Sequence, residues 1–160
     1  LPNIFIQYKK KGFDFKIYQQ CLPNQIEQLK LTYKENKIDN ELFTFTFDII
    51  NYYNSVDLAI TRAGASALAE LLNCKIPIIS IPLSSSAENH QYKNAKYFEK
   101  KGYSFLIEEK NIDNELFNLL HSFHEDKSIL NKIIQNQKKY NDKDVFNKIE
   151  KEIVKIIYEN

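Results

Sequence analysis

The sequence has no methionine and almost no arginine, since Arg62 is the only arginine among 22 basic residues. The chain starts at Leu1, and the lack of methionine predicts a piece of a longer protein. With 21 acidic residues the net charge is +1, too even for non-specific binding of phosphate backbones, so no nucleic-acid partner is expected. Hydrophobic residues at 43% and charged residues at 27% exclude disordered, coiled-coil and collagen-like chains.

Cysteine and histidine are also scarce, and their spacing indicates no metal site. Cys21 and Cys74 are expected to be reduced thiols that pack as small apolar residues. His121 and His124 have no third ligand nearby and are expected at the surface. No apolar run approaches the roughly 20 residues that span a bilayer, and no signal peptide is evident, so we expect a soluble cytoplasmic domain.

Short apolar runs alternate with helical patterns along residues 15–107. The predicted strands are 15–20, 42–47, 58–61, 76–81 and 103–107, and the predicted helices between them are 24–35, 49–55, 66–73 and 89–101. This alternation predicts an α/β fold, a Rossmann-like parallel sheet with flanking helices. A closing amphipathic helix is predicted at about 142–158, with Phe146, Ile149, Ile153 and Ile156 on one stripe.

The start of the sequence lacks the strand with which such a fold begins, and two later helix ends carry capping residues. Residues 1–11 are typical of the tail of a helix, whereas a doubly wound domain begins with a strand that becomes central. We therefore expect residues 1–160 to be a single domain, truncated at its N-terminus and lacking its first strand. Gly102 stands where a helix C-cap is predicted, and Ser85 with Glu88 matches a capping box for the helix that follows.

The segment DLAITRAGASALAE, residues 57–70, is the most informative one. A strand ends before Gly64, which permits a tight turn, and Ala65, Ser66 and Ala67 then open a helix without bulky side chains. Small residues there let a phosphate approach the unpaired backbone N–H groups, and the helix dipole favours its negative charge. The pattern predicts a phosphate site after this strand.

Two charged residues flank this turn. Arg62 adds a cation, and an arginine fork binds anions bidentately. Glu70 lies one turn into the helix, away from its apolar face, where a carboxylate is well placed to accept both hydroxyls of a ribose. That Glu70 is an ordinary solvated residue remains an equal alternative.

A second polar segment, LSSSAENHQYKNA at residues 83–95, follows the next strand. His90 and Gln91 fall in the first turn of its helix and can hydrogen-bond toward the same crevice. Ligand contact is favoured over the alternative of a plain surface histidine. Glu108 and Glu109 end a later strand and are expected to be solvated charges.

TRAGASALAELL followed by IPIISIPLSSSAENHQYKNAKYF resembles the donor-binding half of the MurG family. These bacterial enzymes transfer N-acetylglucosamine from UDP-N-acetylglucosamine to undecaprenyl-linked muramyl-pentapeptide, the step from lipid I to lipid II. The resemblance implies the C-terminal half of a GT-B glycosyltransferase of family 28, with two Rossmann-like domains facing across a cleft. Residues 45–49 stand where the family has its uracil-facing stretch.

The resemblance also implies roles at the donor site. Thr46 and Ile49 would lie at the uracil, and Glu70 would hold the ribose hydroxyls. Arg62 and the amides around residues 65–67 would face the diphosphate. The family often has threonine where Ala67 stands, so one hydroxyl is lost and the amide kept.

On the same basis His90 and Gln91 would reach the sugar, with Asn94 nearby. The implied chemistry is a metal-independent displacement that needs no cofactor. The family's N-terminal domain, which carries its acceptor site, its proposed catalytic base and its membrane-facing patch, is not in this sequence. Neither are the first strand and the Gly-Gly-Ser loop of the donor domain.

These gaps leave the catalytic base unassigned and predict that this chain alone is inactive. The full-length enzyme would meet its lipid-linked acceptor at the inner face of the plasma membrane, as a peripheral protein. Two alternatives stay open. One is a stand-alone nucleotide-sugar-binding subunit that needs a partner chain, as in the dolichol pathway, and the other is a binding remnant without turnover.

Overall fold

The computed structural model describes residues 1–141 and 143–158. The strands are β1 (Lys16–Gln20), β2 (Asp39–Phe43), β3 (Ala59–Thr61), β4 (Ile78–Ser80) and β5 (Ser104–Leu106). The helices are α1 (Pro2–Lys10), α2 (Ile26–Glu35), α3 (Ile49–Tyr53), α4 (Ala65–Cys74), α5 (His90–Lys100), α6 (Ile112–Glu125), α7 (Ser128–Lys138) and α8 (Lys143–Tyr158). Strands alternate with helices up to β5, so the predicted α/β class is confirmed.

The strands form two parallel sheets. One has the order β1-β2 and the other β3-β4-β5. A doubly wound sheet places its first strand between the second and the fourth. The division between β1 and β3 therefore falls at the position where the sequence predicts that a strand is lacking.

The second strand differs from its prediction. It covers Asp39–Phe43 rather than 42–47, because the pairing with β1 ends at Gln20 and Phe43 and the last backbone bond runs from the Cys21 N–H to the Phe43 carbonyl at 2.9 Å. Of the alternating aromatic residues that suggested a strand, Phe43 ends β2, whereas the next two lie outside it. Phe45 and Phe47 are 65% and 93% exposed and their rings touch edge to face.

The central strand β4 is buried and divides the core in two. Ile78 packs with Leu68 and Leu71 of α4, whereas Ile79 packs with Leu116 of α6. Successive side chains of a strand point to opposite faces of the sheet, so helices cover both faces. Burial on both faces explains the apolar run around this strand, in which the one polar residue, Ser80, donates its hydroxyl to the carbonyl of Phe105 at 2.8 Å.

A buried glutamine joins the last helices to the sheet. The Nε2 of Gln137 in α7 donates to the carbonyl oxygens of Ile76 and Tyr103, both at 2.8 Å. These carbonyls precede β4 and β5, so one side chain satisfies two buried backbone acceptors. The clamp holds the starts of both strands against α7.

The closing helix α8 presents apolar side chains to solvent, and Ile149 and Ile153 are each 50% exposed. The side chain of Phe146, predicted on the same stripe, lies outside what the structure describes. Within residues 1–141 and 143–158, no helix has the length and apolar character needed to cross a membrane.

The cysteines are both free, but their environments differ. Cys21 is buried as expected, whereas Cys74 is exposed at the end of α4, so the prediction of two buried thiols is wrong for Cys74. It lies outside the buried face of α4, which is formed by Leu68, Leu71 and Leu72.

Gly102 follows the C-terminal end of α5, and its substitution tests how far stability depends on the backbone conformation there. Its φ is +69° and its N–H donates to the carbonyl of Glu99 at 2.8 Å, as predicted for a C-cap glycine. A Cβ there would lie 2.5 Å from Asn136 Nδ2. We expect Gly102→Ala to lower the free energy of unfolding by about 1–2 kcal/mol in urea titrations.

Gly64 is the matched control for that substitution. Its φ is −67° and an added Cβ would meet nothing within 4 Å. Gly64→Ala should therefore leave stability nearly unchanged, and equal losses in both variants would contradict the argument from backbone conformation.

Candidate functional site

The candidate site lies at the carboxyl edge of the three-stranded sheet. Thr61, Ser80 and Leu106 are in register at the ends of β3, β4 and β5. Because the strands are parallel, the loops that follow them meet at one edge, which is where open α/β sheets bind ligands. The two polar segments singled out in the sequence are therefore neighbours in the fold.

The loop after β3 leads directly into the N-terminus of α4. Gly64 is the N-cap, and no side chain caps the helix. The N–H groups of Ala65, Ser66 and Ala67 thus lack a side-chain acceptor, and the first amides of a helix have no intrahelical partner. Open space beside Gly64 lets a ligand approach this backbone closely.

Arg62 extends across the ends of the neighbouring strands. Its Nη2 donates to Glu109 Oε1 at 2.7 Å, and its Nη1 lies 3.4 Å from the carbonyl oxygen of Ile81. The other carboxylate oxygen of Glu109 accepts the hydroxyl of Ser84 at 2.6 Å and its N–H at 3.3 Å. Glu109 therefore joins the loops after β3 and β4.

The expectation that Glu109 is a solvated charge is wrong. Hydrogen bonds from the Ser84 hydroxyl, from Arg62 and from the Ser84 N–H lower the pKa of Glu109 to about 2. The carboxylate is therefore ionised throughout the physiological range. Glu109 follows β5 and therefore lies at the same sheet edge as Arg62, and this position is the sequence feature that could have indicated the pair. Glu108 instead pairs with Lys110 at 3.0 Å.

Two predicted ligand residues of α5 hold the loops. Gln91 Oε1 accepts the N–H of Leu83 at 3.0 Å, and Asn94 Nδ2 donates to the carbonyl of Ala63 at 3.1 Å. The helix thereby fixes the backbone of the loops after β4 and β3. The second bond brings Asn94 beside the α4 N-terminus, whereas Gln91 lies at the loop after β4.

The start of α5 differs from the predicted capping box. Glu88 and Asn89 have φ of 49° and 57°, in the left-handed region, so the chain is not helical at Glu88. The helix begins at His90, after a short 3₁₀ turn, and Ser85 caps nothing there. His90 Nδ1 lies 2.8 Å from the carbonyl oxygen of Ala87, which fixes the ring over the turn.

Glu70 has a partner that the sequence analysis missed. The hydroxyl of Tyr53 in α3 donates to Glu70 Oε2 at 3.3 Å, and Glu70 is exposed. Burial, and secondarily Glu70, raise the pKa of Tyr53. The tyrosine also packs on the core beneath α4, so α3 lies beside α4.

The predicted uracil stretch enters α3. Thr46 Oγ1 accepts the N–H of Asp48 at 3.0 Å, a local bond just before α3, and Ile49 is the first residue of α3. The bond between Tyr53 and Glu70 connects the last residue of α3 to the α4 helix. Ile49 thus begins the helix that contacts Glu70, and Thr46 lies in the loop before it.

A cleft of about 290 Å³ opens between the ends of β4 and β5. It is lined by Pro82, Leu83, Ser84, Asn89, Tyr92, Glu108 and Glu109. This volume is at the lower limit of ligand pockets. The cleft thus accommodates a sugar-sized or phosphate-sized group, and a larger ligand would extend along the open sheet edge.

A parallel sheet with an uncapped small-residue helix and polar loops at its carboxyl edge is the arrangement at which α/β domains bind ligands, anions among them. Residues 3–153 match the sequence model of the glycosyltransferase family 28 C-terminal domain. The chain belongs to this family, and the resemblance to MurG enzymes is confirmed.

Relatives and a solved structure support this assignment. The chain is 37% identical over 155 residues to a protein of Pelagibacter ubique (strain HTCC1062) described as "UDP-N-acetylglucosamine--N-acetylmuramyl-(pentapeptide) pyrophosphoryl-undecaprenol N-acetylglucosamine transferase", covering 94% of this chain and 42% of the relative. A protein of Rickettsia canadensis (strain McKiel) with the same description is 40% identical over 110 residues, or 69% of this chain and 31% of the relative.

The crystal structure of Acinetobacter baumannii MurG superposes with a TM-score of 0.73 at 21% identity, covering 88% of this chain and 40% of that one. This similarity shows the fold. The chain spans about two fifths of the Pelagibacter relative and of the Acinetobacter structure.

The lowered pKa of Glu109 predicts an acid-dependent loss of stability. A group whose pKa falls from 4.5 to about 2 on folding stabilises the fold above pH 4.5 and loses that contribution as the pH falls toward 2. We expect the stability advantage of the wild type over Glu109→Gln to shrink between pH 5 and pH 2 in urea titrations at several pH values.

Ser84→Ala serves as the companion variant. It removes the strongest hydrogen bond to Glu109 and keeps the backbone N–H, so its acid-dependent loss should be smaller than that of the wild type. Identical pH profiles in all three proteins would show that these bonds do not lower the Glu109 pKa.

Proposed function

We propose that the chain is the donor-binding part of a glycosyltransferase that moves N-acetylglucosamine from UDP-N-acetylglucosamine to undecaprenyl-diphospho-muramyl-pentapeptide. One observation carries the proposal: the uncapped α4 N-terminus, with Glu70 one turn along it, shares a sheet edge with the polar loop after β4. Family membership and the descriptions of the relatives supply the reaction.

The nucleotide would lie along α3 and α4. The amides of Ala65, Ser66 and Ala67 would receive the diphosphate, since unpaired N–H groups and the helix dipole favour anions. Glu70 would accept the ribose hydroxyls. Thr46 and Ile49 would flank the uracil at the neighbouring helix.

The sugar would extend toward α5. His90, Gln91 and Asn94 lie at the helix end beside the cleft, which has room for one sugar ring. Gln91 and Asn94 also hold the two loops, so they would shape the site as well as contact the sugar. Arg62 would stand at the diphosphate end.

In the reaction, an acceptor hydroxyl oxygen bonds to the anomeric carbon while the bond from that carbon to the diphosphate breaks. A base takes the hydroxyl proton, and UDP leaves with its charge held by amides and the helix dipole. This scheme needs no metal or cofactor. The base and the lipid acceptor site belong to the N-terminal part of the longer enzymes, at the inner face of the membrane.

Glu70→Ala tests the donor site. Loss of two hydrogen bonds from ribose hydroxyls to a carboxylate should weaken UDP-N-acetylglucosamine binding by roughly 2–4 kcal/mol if both bonds form. Isothermal titration calorimetry measures the change. Glu27→Ala, an exposed glutamate on α2, is the control and should bind as the wild type does.

The 2′-deoxy form of UDP makes this test specific to the ribose. Wild type should bind it more weakly than UDP, whereas Glu70→Ala should bind both alike, because the partner of the 2′-hydroxyl is already gone. The same preference for UDP in both proteins would remove Glu70 from the site.

We also expect no transfer of N-acetylglucosamine by the purified chain when lipid I and donor are supplied, since base and acceptor site are proposed to lie in the other domain. Chromatographic detection of lipid II after incubation with the chain alone would refute this division of roles.

A further inference from the structure

Three hydrogen-bond donors at the candidate site converge on a carboxylate of the same chain. Arg62 Nη2 and the hydroxyl of Ser84 lie 2.7 and 2.6 Å from the two oxygens of Glu109, and the Ser84 N–H is 3.3 Å away. A loop N–H, a hydroxyl and a guanidinium are the groups with which proteins bind phosphate oxygens. Glu109 therefore occupies a donor set that suits an external anion.

This donor set is accessible from the proposed substrate side. Ser84 and Glu109 line the cleft, and Arg62 precedes by three residues the α4 helix whose amides are proposed to hold the diphosphate. The side chains of Arg62 and Glu109 are 49% and 32% exposed. An anion from solvent can thus reach the pair and exchange with the carboxylate.

The neighbouring cations offer no substitute for Arg62. Lys110 pairs with Glu108 at 3.0 Å and Lys96 pairs with Glu99 at 2.6 Å. The charge of Arg62 is likewise neutralised by Glu109. An incoming diphosphate that takes over the contacts of Arg62 Nη2 and Ser84 must therefore displace the carboxylate.

We propose that Glu109 is an internal competitor for the anion site formed by Arg62 and Ser84, and that the diphosphate of the donor nucleotide displaces it. The inference rests on the proposed function, which supplies the diphosphate. Free phosphate or pyrophosphate brings charge alone and competes poorly with a tethered carboxylate. A nucleotide adds base and ribose contacts that offset the displacement, so it still binds although Glu109 lowers the affinity of the site for every diphosphate by a similar factor.

The test compares anion binding by two glutamine variants of the full chain. Glu109→Gln should bind pyrophosphate and UDP about tenfold more tightly than the wild type in calorimetric titrations, because Arg62 is released. Glu88→Gln is the matched control, because Glu88 is an exposed carboxylate beside the cleft residue Asn89 and, among the described residues, forms no ion pair whose loss would release a lysine. Its affinities should stay within about twofold of the wild type.

Uridine and a second substitution separate competition from other effects. Uridine carries no phosphate, so NMR titration should give equal affinities for wild type and Glu109→Gln. In an Arg62→Gln background, Glu109→Gln should no longer raise pyrophosphate affinity, which double-mutant cycles measure. Glu109→Asp, which keeps the charge but shortens the reach, should also raise affinity and serves if Glu109→Gln fails to fold.

Unchanged or weaker UDP and pyrophosphate binding by Glu109→Gln would overturn the proposal and assign Glu109 to holding Arg62 in place. An equal gain in Glu88→Gln would also overturn it, as a general effect of charge. If the wild type does not bind UDP but Glu109→Gln binds pyrophosphate more tightly, the proposed function fails and the competition stands. If the wild type binds UDP and Glu109→Gln leaves the affinities for UDP and pyrophosphate unchanged, the proposed function stands and the competition is refuted.

Discussion

The parallel register of β3, β4 and β5 is the constraint on which the site depends. It brings the ends of three strands to one edge, so that segments distant in sequence supply one set of polar groups. Ile78 and Ile79 fix β4 between two helical layers, and Gln137 anchors the strand starts from the opposite end. Burial of apolar surface thereby positions backbone amides and charges that contribute little to the core.

Side chains at this edge combine structural and binding roles. Asn94 and Gln91 each hold the backbone of a loop, and Tyr53 is both part of the core and the partner of Glu70. Loops that bind ligands are ordinarily mobile because few contacts restrain them. Here the side-chain amides of Gln91 and Asn94 restrain two of these loops, so a ligand has to immobilise less of the backbone when it binds.

Local signals predicted much of this arrangement, and long-range pairs account for the rest. The C-cap at Gly102 is a short pattern with a backbone cause, its positive φ. The run of small residues that opens α4 is also readable from sequence, although Gly64 itself has a φ that any residue adopts. The bond between Arg62 and Glu109 joins residues 47 positions apart, and no periodicity marks such a pair. The bounds of β2 were mispredicted because they depend on where its pairing with β1 ends, which the aromatic alternation does not report.

The division of the sheet has a consequence for handling the protein in solution. In the part of the chain that the structure describes, β1 and β3 each keep an edge that no strand pairs with, and exposed edges template association between chains. The three residues of β3 offer few backbone groups, whereas the five of β1 offer more. A net charge of +1 supplies little repulsion between molecules. Self-association should therefore rise with protein concentration.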